Sequence, residues 1–251
     1  VPIDAGVALV TGAGHRLGRA IALGLGRAGF DLVVHYRSSS DGARETAAAI
    51  EAMGRTAWLV AADLADLSAI DALFGEVEAR AGRLDVLVNS AAGFDSRPLE
   101  AVESEDWERT LAVNLRAPFF CIQRAARLMR RNPRGGCVVN LADHAGVSPW
   151  LGYSVHGISK AGVLFLTRAA ARELGPEVRV NAVVPGPILP PPGEDPEAES
   201  WLHRGDGLAL GRTGDPEDVA GAVVYLVGAG YVTGAVLPVD GGEHLTPARG
   251  R

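Results

Sequence analysis

Short, mainly apolar runs punctuate the chain, separated by longer stretches in which polar and apolar positions mix. The runs are Val7–Val10, Asp31–His35, Arg55–Val60, Leu84–Asn89, Cys137–Leu141, Val178–Val184 and Ala235–Val239. Each is too short for a helix and rich in valine or leucine, so each predicts a strand. Their near-continuous apolar character, without alternation, predicts strands buried on both faces. The intervening stretches of roughly 10–20 residues predict helices. One runs over about 16–28, an alanine-rich one precedes the third strand, and a long one contains Ala161–Leu174 with apolar residues on several sides. Strands spaced by helices call for right-handed crossovers and a parallel sheet covered on both faces. The pattern therefore reads as one α/β domain over residues 1–251, a doubly wound parallel sheet of about seven strands with Ala235–Val239 at its edge.

One segment breaks this pattern. Pro185–Asp195 is so rich in proline and glycine that regular structure is excluded. It follows the sixth strand, on the sheet edge where ligands bind in such folds. It reads as the start of a substrate lid over about 186–212; an inert surface loop is the competing reading. Residues 246–251 read as a frayed, flexible tail.

Composition narrows the function classes. A net charge of −6 argues against a nucleic-acid or anionic-membrane partner. No apolar run approaches the ~18 residues of a membrane span, and no secretory-type segment is read at the start. Cys121 and Cys137 lie in apolar surroundings without metal-ligand spacing, so buried free thiols and a cytoplasmic location are expected. The acidic groups Glu103–Asp106 and Glu194-Asp195 read as a solvated helix start and a loop, and no metal site is expected.

The chemistry concentrates in two places. Thr11-Gly12-Ala13-Gly14-His15-Arg16-Leu17-Gly18 joins the first strand to the first helix. Glycines there let the backbone turn sharply and approach a pyrophosphate, whose charge the helix N-terminus favours. The second strand ends in His35-Tyr36-Arg37-Ser38-Ser39, with no carboxylate before Asp41. An acid at that place would hold a ribose 2′-hydroxyl; Arg37 instead suits a 2′-phosphate, with serine hydroxyls and backbone beside it. NADPH is thus the expected cofactor, against the reading of Arg37 as a solvated surface residue.

These motifs, in this order, resemble the short-chain dehydrogenase/reductase family, and a single-domain Rossmann fold is what that resemblance implies. The family reads Thr-Gly-x-x-x-Gly-x-Gly; here Arg16 replaces the middle glycine, a variant similar to pteridine reductases, as is the His35–Ser38 run. The resemblance covers nearly the whole chain. It implies cofactor contacts from Gly12, Arg16, Leu17, Tyr36, Arg37, Ser38, Asp63 and Leu64. It implies further contacts from Asn89 and Ala91, although Asn89-Ser90-Ala91-Ala92-Gly93 departs at two positions from the usual Asn-Asn-Ala-Gly. Asn181–Gly186, Tyr231–Gly234 and Val239–Gly242 match later markers, with Pro185, Gly186 and Ile188 on the cofactor. A homotetramer is implied as well.

The second place is Ser148–Lys160, which resembles the family's active-site helix. The family pattern is Tyr-x-x-x-Lys, and four residues before Lys160 stands His156. The serine position is Asp143, as in pteridine reductases. The resemblance implies that Lys160 holds the nicotinamide ribose and that Asn114 orders a relay water. An Asp143–His156 pair as proton donor is our expectation, with activity falling as pH rises through the titration of an imidazole, ordinarily near ~6.5. Tyr153 is the alternative donor, but one helical turn would displace its hydroxyl by ~4.5 Å. A third reading makes His156 a structural replacement in a weak or dead site. Phe94 suggests stacking of a flat heterocycle, with Tyr153 and Leu189 also lining the substrate and Trp150 and Leu151 as further walls. His144 and His203 read as bystanders. The expected activity is NADPH-dependent reduction of a pterin or dihydropterin-like ring. A carbonyl or ketoacyl reductase, and an NADPH-binding protein with little turnover, are the rivals.

Overall fold

A computed structural model of the chain describes residues 6–245 apart from 192, 194 and 196, and the side chain of Ser200 is likewise outside the description. The tail at 246–251 and Glu194 therefore lie outside the described residues. Seven strands form one parallel sheet: β1 (Val7–Val10), β2 (Asp31–Tyr36), β3 (Ala57–Ala61), β4 (Val86–Asn89), β5 (Gly136–Leu141), β6 (Val178–Pro185) and β7 (Val236–Val239). Their order is β3-β2-β1-β4-β5-β6-β7, with β7 at an edge. The seven runs thus became the seven strands, with ends shifted by up to two residues.

Successive residues of the buried strands feed opposite cores, as the strand period of two requires. Ala8 and Val10 join Val86, Val88 and Val139 on one face, while Leu9 joins Leu87 and Val138 on the other. The first face is covered by α1 (Arg16–Arg27), α2 (Ser40–Glu51) and α8 (Pro216–Gly228), the second by α3 (Leu67–Ala81) and α5 (Ala117–Met129). Local signals start and stop these helices. Asp66 caps α3 by accepting from the Ser68 N–H at 2.8 Å, and Gly82 ends it in the left-handed region. Asp215 and Asp218 form a capping box at the start of α8.

One sequence expectation needs correction. The segment 148–153 is not helical; α6 spans Ser154–Leu174, after a turn in which Gly152 takes φ 78°. Tyr153 is therefore the N-cap of α6, its carbonyl accepting from the Gly157 N–H at 2.8 Å. α4 (Ser104–Leu111) passes into α5 through a π-helical turn, Ala112–Arg116, with Asn114 at its centre. The 186–212 segment contains one short helix, α7 (Glu199–Leu202), in otherwise irregular chain.

Candidate active site

The sheet order reverses between β1 and β4, and strand ends there leave a crevice for ligands. An open cleft of about 1800 Å³ lies at this point, lined from the ends of β1, β2, β4, β5 and β6 and from the 186–212 segment. No helix among the described residues is long and apolar enough to cross a membrane. No group of three or more metal-ligating side chains is clustered among them either.

The glycine-rich turn is held from three sides. Gly12 takes φ 68°, and its N–H donates to His35 Nδ1 at 3.0 Å. His35 Nε2 lies 3.1 Å from the Ala62 carbonyl, an oxygen that only accepts, so Nε2 carries the proton and Nδ1 is the acceptor. Burial pushes the His35 pKa down to about 4, with the Ala62 carbonyl and Asp63 opposing. The Thr11 hydroxyl accepts from the Ser90 and Ala91 N–H groups at 2.9 and 3.0 Å, joining the β1 and β4 turns. A Cβ at Gly18 would lie 2.2 Å from the Gly12 carbonyl, so the turn can close on α1 only with glycine there.

These residues fit a dinucleotide carrying a 2′-phosphate. Arg37 and Ser38 are exposed on the cleft beside Asp63, and no partner engages the Arg37 guanidinium among the described residues. The nearest downstream acid, Asp41, is paired with Arg44 at 2.5 Å. Gly12, Leu17, Leu64, Ala91, Pro185, Gly186 and Ile188 also line the cleft, and Arg16 reaches across it to the Pro190 carbonyl. Two expected contacts point elsewhere. Tyr36 packs against the core beside α1 and α2. Asn89 is buried and donates to Asn140 Oδ1 at 2.9 Å, which carries the line on to Thr167. The β4–β5 register sets Asn89 beside Asn140, turning the amide sideways into the sheet.

Asp143, His156 and Lys160 meet on the cleft floor. Asp143 leaves β5 and caps the turn that follows: Oδ1 accepts from the Ala145 N–H at 2.7 Å, and Oδ2 faces His156 Nε2 at 3.6 Å. At that distance the pair is an electrostatic contact and not a closed hydrogen bond. Burial opposes ionisation of Asp143, but the imidazole, the Ala145 N–H and the Lys160 charge outweigh it and hold the carboxyl below its usual range. The other imidazole nitrogen, Nδ1, lies 3.2 Å from the Gly93 carbonyl. The Asn114 Nδ2 amide also lies 3.4 Å from Nδ1, so this nitrogen faces both a carbonyl oxygen and an amide donor. Lys160 is buried and donates to the Leu141 carbonyl at 2.8 Å; burial lowers its pKa, with Asp143 opposing.

Asn114 stands behind His156 and does not line the cleft. Its Oδ1 accepts from the Gly93 N–H at 2.8 Å, and its Nδ2 donates to the Gly93 carbonyl at 3.0 Å and to Ser159 Oγ at 3.2 Å. The π-helical turn supplies the extra residue that aims this amide at the β4 turn.

Aromatic rings wall the donor. Phe94 lies edge-on to His156 at 4.9 Å and against Tyr153 at 4.7 Å, tilted 32°. Trp150 stands across from Tyr153 at 6.0 Å. Tyr153, Leu189 and the exposed Leu151 also line the cleft. His144 and His203, read as bystanders, both line it. His144 is buried and stacks on Trp150 at 6.1 Å. His15, between the glycine turn and α1, was missed; it lies exposed on the cleft, and no spacing rule marks it.

Comparison with known proteins follows the same outline. The family model described as enoyl-(acyl carrier protein) reductase matches residues 12–244. The chain is 38% identical over 246 residues to 3beta-hydroxysteroid dehydrogenase 1 of Eggerthella lenta, covering 95% of this chain and 94% of that protein. It is 35% identical over 241 residues to the 3-oxoacyl-[acyl-carrier-protein] reductase FabG of Staphylococcus aureus, covering 95% and 98%. Among solved structures, a blue fluorescent protein from a metagenomic library, in complex with NADPH, superposes with a TM-score of 0.87 at 36% identity, covering 94% of this chain and 97% of that one.

Proposed function

The chain belongs to the short-chain dehydrogenase/reductase family, an oxidoreductase family, and from that premise we propose an NADPH-dependent reductase of a carbonyl group in which His156 delivers the proton. The observation that carries the proposal is the Asp143–His156 contact at 3.6 Å on the floor of a cleft whose other end offers the exposed Arg37. NADPH, when bound, supplies a hydride for the carbonyl carbon. The rest falls to the chain. Arg37 and Ser38 hold the 2′-phosphate, and the Gly12 turn and the N-terminus of α1 hold the pyrophosphate. Lys160, fixed on the Leu141 carbonyl, aligns the nicotinamide ribose. His156 holds the proton at Nε2 for the carbonyl oxygen, Asp143 orients the ring and offsets its charge, and a proton from solvent resets it.

The relatives favour a carbonyl substrate, since the names of two of them specify a 3-oxoacyl group and a hydroxysteroid. Reduction of a pterin or dihydropterin is the second reading. It is favoured by the Phe94–Tyr153 wall, against which a flat ring can stack, in a site that also carries Arg16 and Asp143. We extend the proposal to a cytoplasmic homotetramer. Cys121 and Cys137 are free and buried, and Ile158 and Phe165 of α6 and Phe119 of α5 are exposed apolar side chains that such contacts would cover.

The test is NADPH oxidation with a ketone panel and with dihydropterin by the parent, His156→Tyr and His156→Ala. Parent turnover that both variants lose by ~10²-fold or more makes the imidazole the acid. Equal rates in all three remove it from the mechanism. Tight NADPH binding without turnover on either panel leaves a cofactor-binding protein.

A further inference from the structure

Arg16 does something in this structure that a cation placed only for phosphates would not do. Its backbone sits at φ 51°, the left-handed region that residues with a Cβ enter only under strain. From there Nη2 donates to the carbonyl of Pro190 at 2.6 Å, across 174 positions of sequence. Pro190 is buried, and it lies in the stretch that leaves the core after Ile188. The base of the 186–212 segment is pinned independently: Gly186 N–H donates to Val239, Gly214 N–H to Pro187, and Ile188 is buried in the core. Its far shoulder is pinned where Arg204 pairs with Glu243 at 2.8 Å. Leu189 packs against the core, and among the described residues the Arg16 bond is the hydrogen bond that joins positions 189–195 to the fold outside this segment.

We propose that Arg16 is a positioning residue for the substrate lid, tying its proline shoulder to the turn that cradles the cofactor. A guanidinium has five N–H donors, so one can hold Pro190 while others face an anion in the cleft. Lid and cofactor cradle then share one side chain. The cleft wall formed by Leu189 and Pro191 keeps a fixed distance from the Gly12 turn. The tie itself is independent of the substrate; its effect on substrate affinity rests on the reductase reading.

Hydrogen–deuterium exchange on the cofactor-free protein tests it, comparing parent, Arg16→Gly and Arg16→Lys. Glycine accepts φ 51° without strain, so the turn keeps its shape while the tie is lost. Amides of residues 188–205 are expected to exchange ~5- to 10-fold faster in Arg16→Gly, with α1 and β1 unchanged. Lysine, a single-point donor, is expected to restore part of the protection. If Arg16→Gly fails to fold, Arg16→Met is measured in its place. Unchanged lid exchange in Arg16→Gly overturns the proposal, and weaker NADPH binding beside that result assigns Arg16 to the phosphates alone. On an active enzyme the tie predicts a KM for the carbonyl substrate several-fold higher, with kcat changed less. Absence of turnover in the parent counts against the reductase reading and leaves the exchange result standing.

Discussion

His35 makes acid stability a measurable consequence of the cofactor cradle. The side chain is 1% exposed, accepts from the Gly12 N–H and donates to the Ala62 carbonyl, and its pKa falls from 6.5 to about 4. Between those values the folded protein binds fewer protons at this site than the unfolded chain does. Stability therefore falls as pH falls through the window from about 6.5 to 4. A shift of about 2.5 units is worth roughly 3 kcal/mol in full, of which about 2 kcal/mol is lost between pH 7 and pH 5. The perturbation is His35→Gln, which keeps an acceptor and a donor but does not titrate. At pH 7.5 the imperfectly replaced bonds cost the variant ~1–3 kcal/mol. Urea unfolding followed by circular dichroism at pH 7.5, 6, 5 and 4.5 gives both stability curves. The gap between parent and variant is expected to narrow by about 2 kcal/mol on going from pH 7 to pH 5. Parallel curves would refute the reasoning, because other acidic and basic groups contribute alike to both proteins.

Two further outcomes follow from the cleft. Arg37→Ala is expected to weaken NADPH binding by ~10- to 100-fold, the worth of one charge-assisted contact, while leaving NADH affinity within about twofold. Fluorescence titration of both cofactors checks this, and equal losses for the two would sink the 2′-phosphate assignment. Phe94→Ala removes two ring contacts at ~0.5–1.5 kcal/mol each and uncovers His156, whose side chain is 2% exposed. Peptide mapping after acylation by diethyl pyrocarbonate is expected to find His156 unmodified in the parent and modified in the variant. Equal modification in both would mean that Phe94 does not shield the imidazole.

The strands were legible because a sheet buried on both faces leaves a mark within each run, and no partner need be known to see it. Leu9, Leu32, Leu87 and Val138 reach the core through that local pattern alone. What the sequence hid depended on pairings far along the chain. Asn89 was matched to a cofactor contact by its motif, yet its direction is set by Asn140, 51 positions away in the adjacent strand. His35 read as the end of a strand; its role comes from Gly12 and Ala62, which converge on it only in the folded sheet. The start of α6 was placed too early because the family resemblance was carried back over Ser148–Tyr153, where Pro149 and a left-handed Gly152 keep the chain out of the helix. The juxtaposition of Asp143 and His156 was anticipated from motif spacing. The Gly93 carbonyl on the other side of the imidazole was not, because it depends on Asn114 in the π-helical turn.

The exchange of a phenol for an imidazole at position 156 changes what its neighbours must do. An imidazole is the shorter group, so in the proposed reductase its Nε2 would meet a carbonyl oxygen deeper in the cleft, nearer Asp143. Asp143 is held in its ionised form, and a carboxylate beside a carbonyl oxygen repels the charge that builds there during reduction. A proton at Nε2, facing both oxygens, turns that repulsion into attraction. The 3.6 Å gap leaves this proton uncommitted to Asp143. The Gly93 carbonyl, itself fixed by Asn114, anchors the far side of the ring so that Nε2 stays aimed. Phe94 and the buried floor keep water from competing for it. In the mechanism we propose, Asp143, His156, Gly93 and Asn114 act together as one acid, and Tyr153, 6.3 Å from the imidazole at the head of α6, walls it.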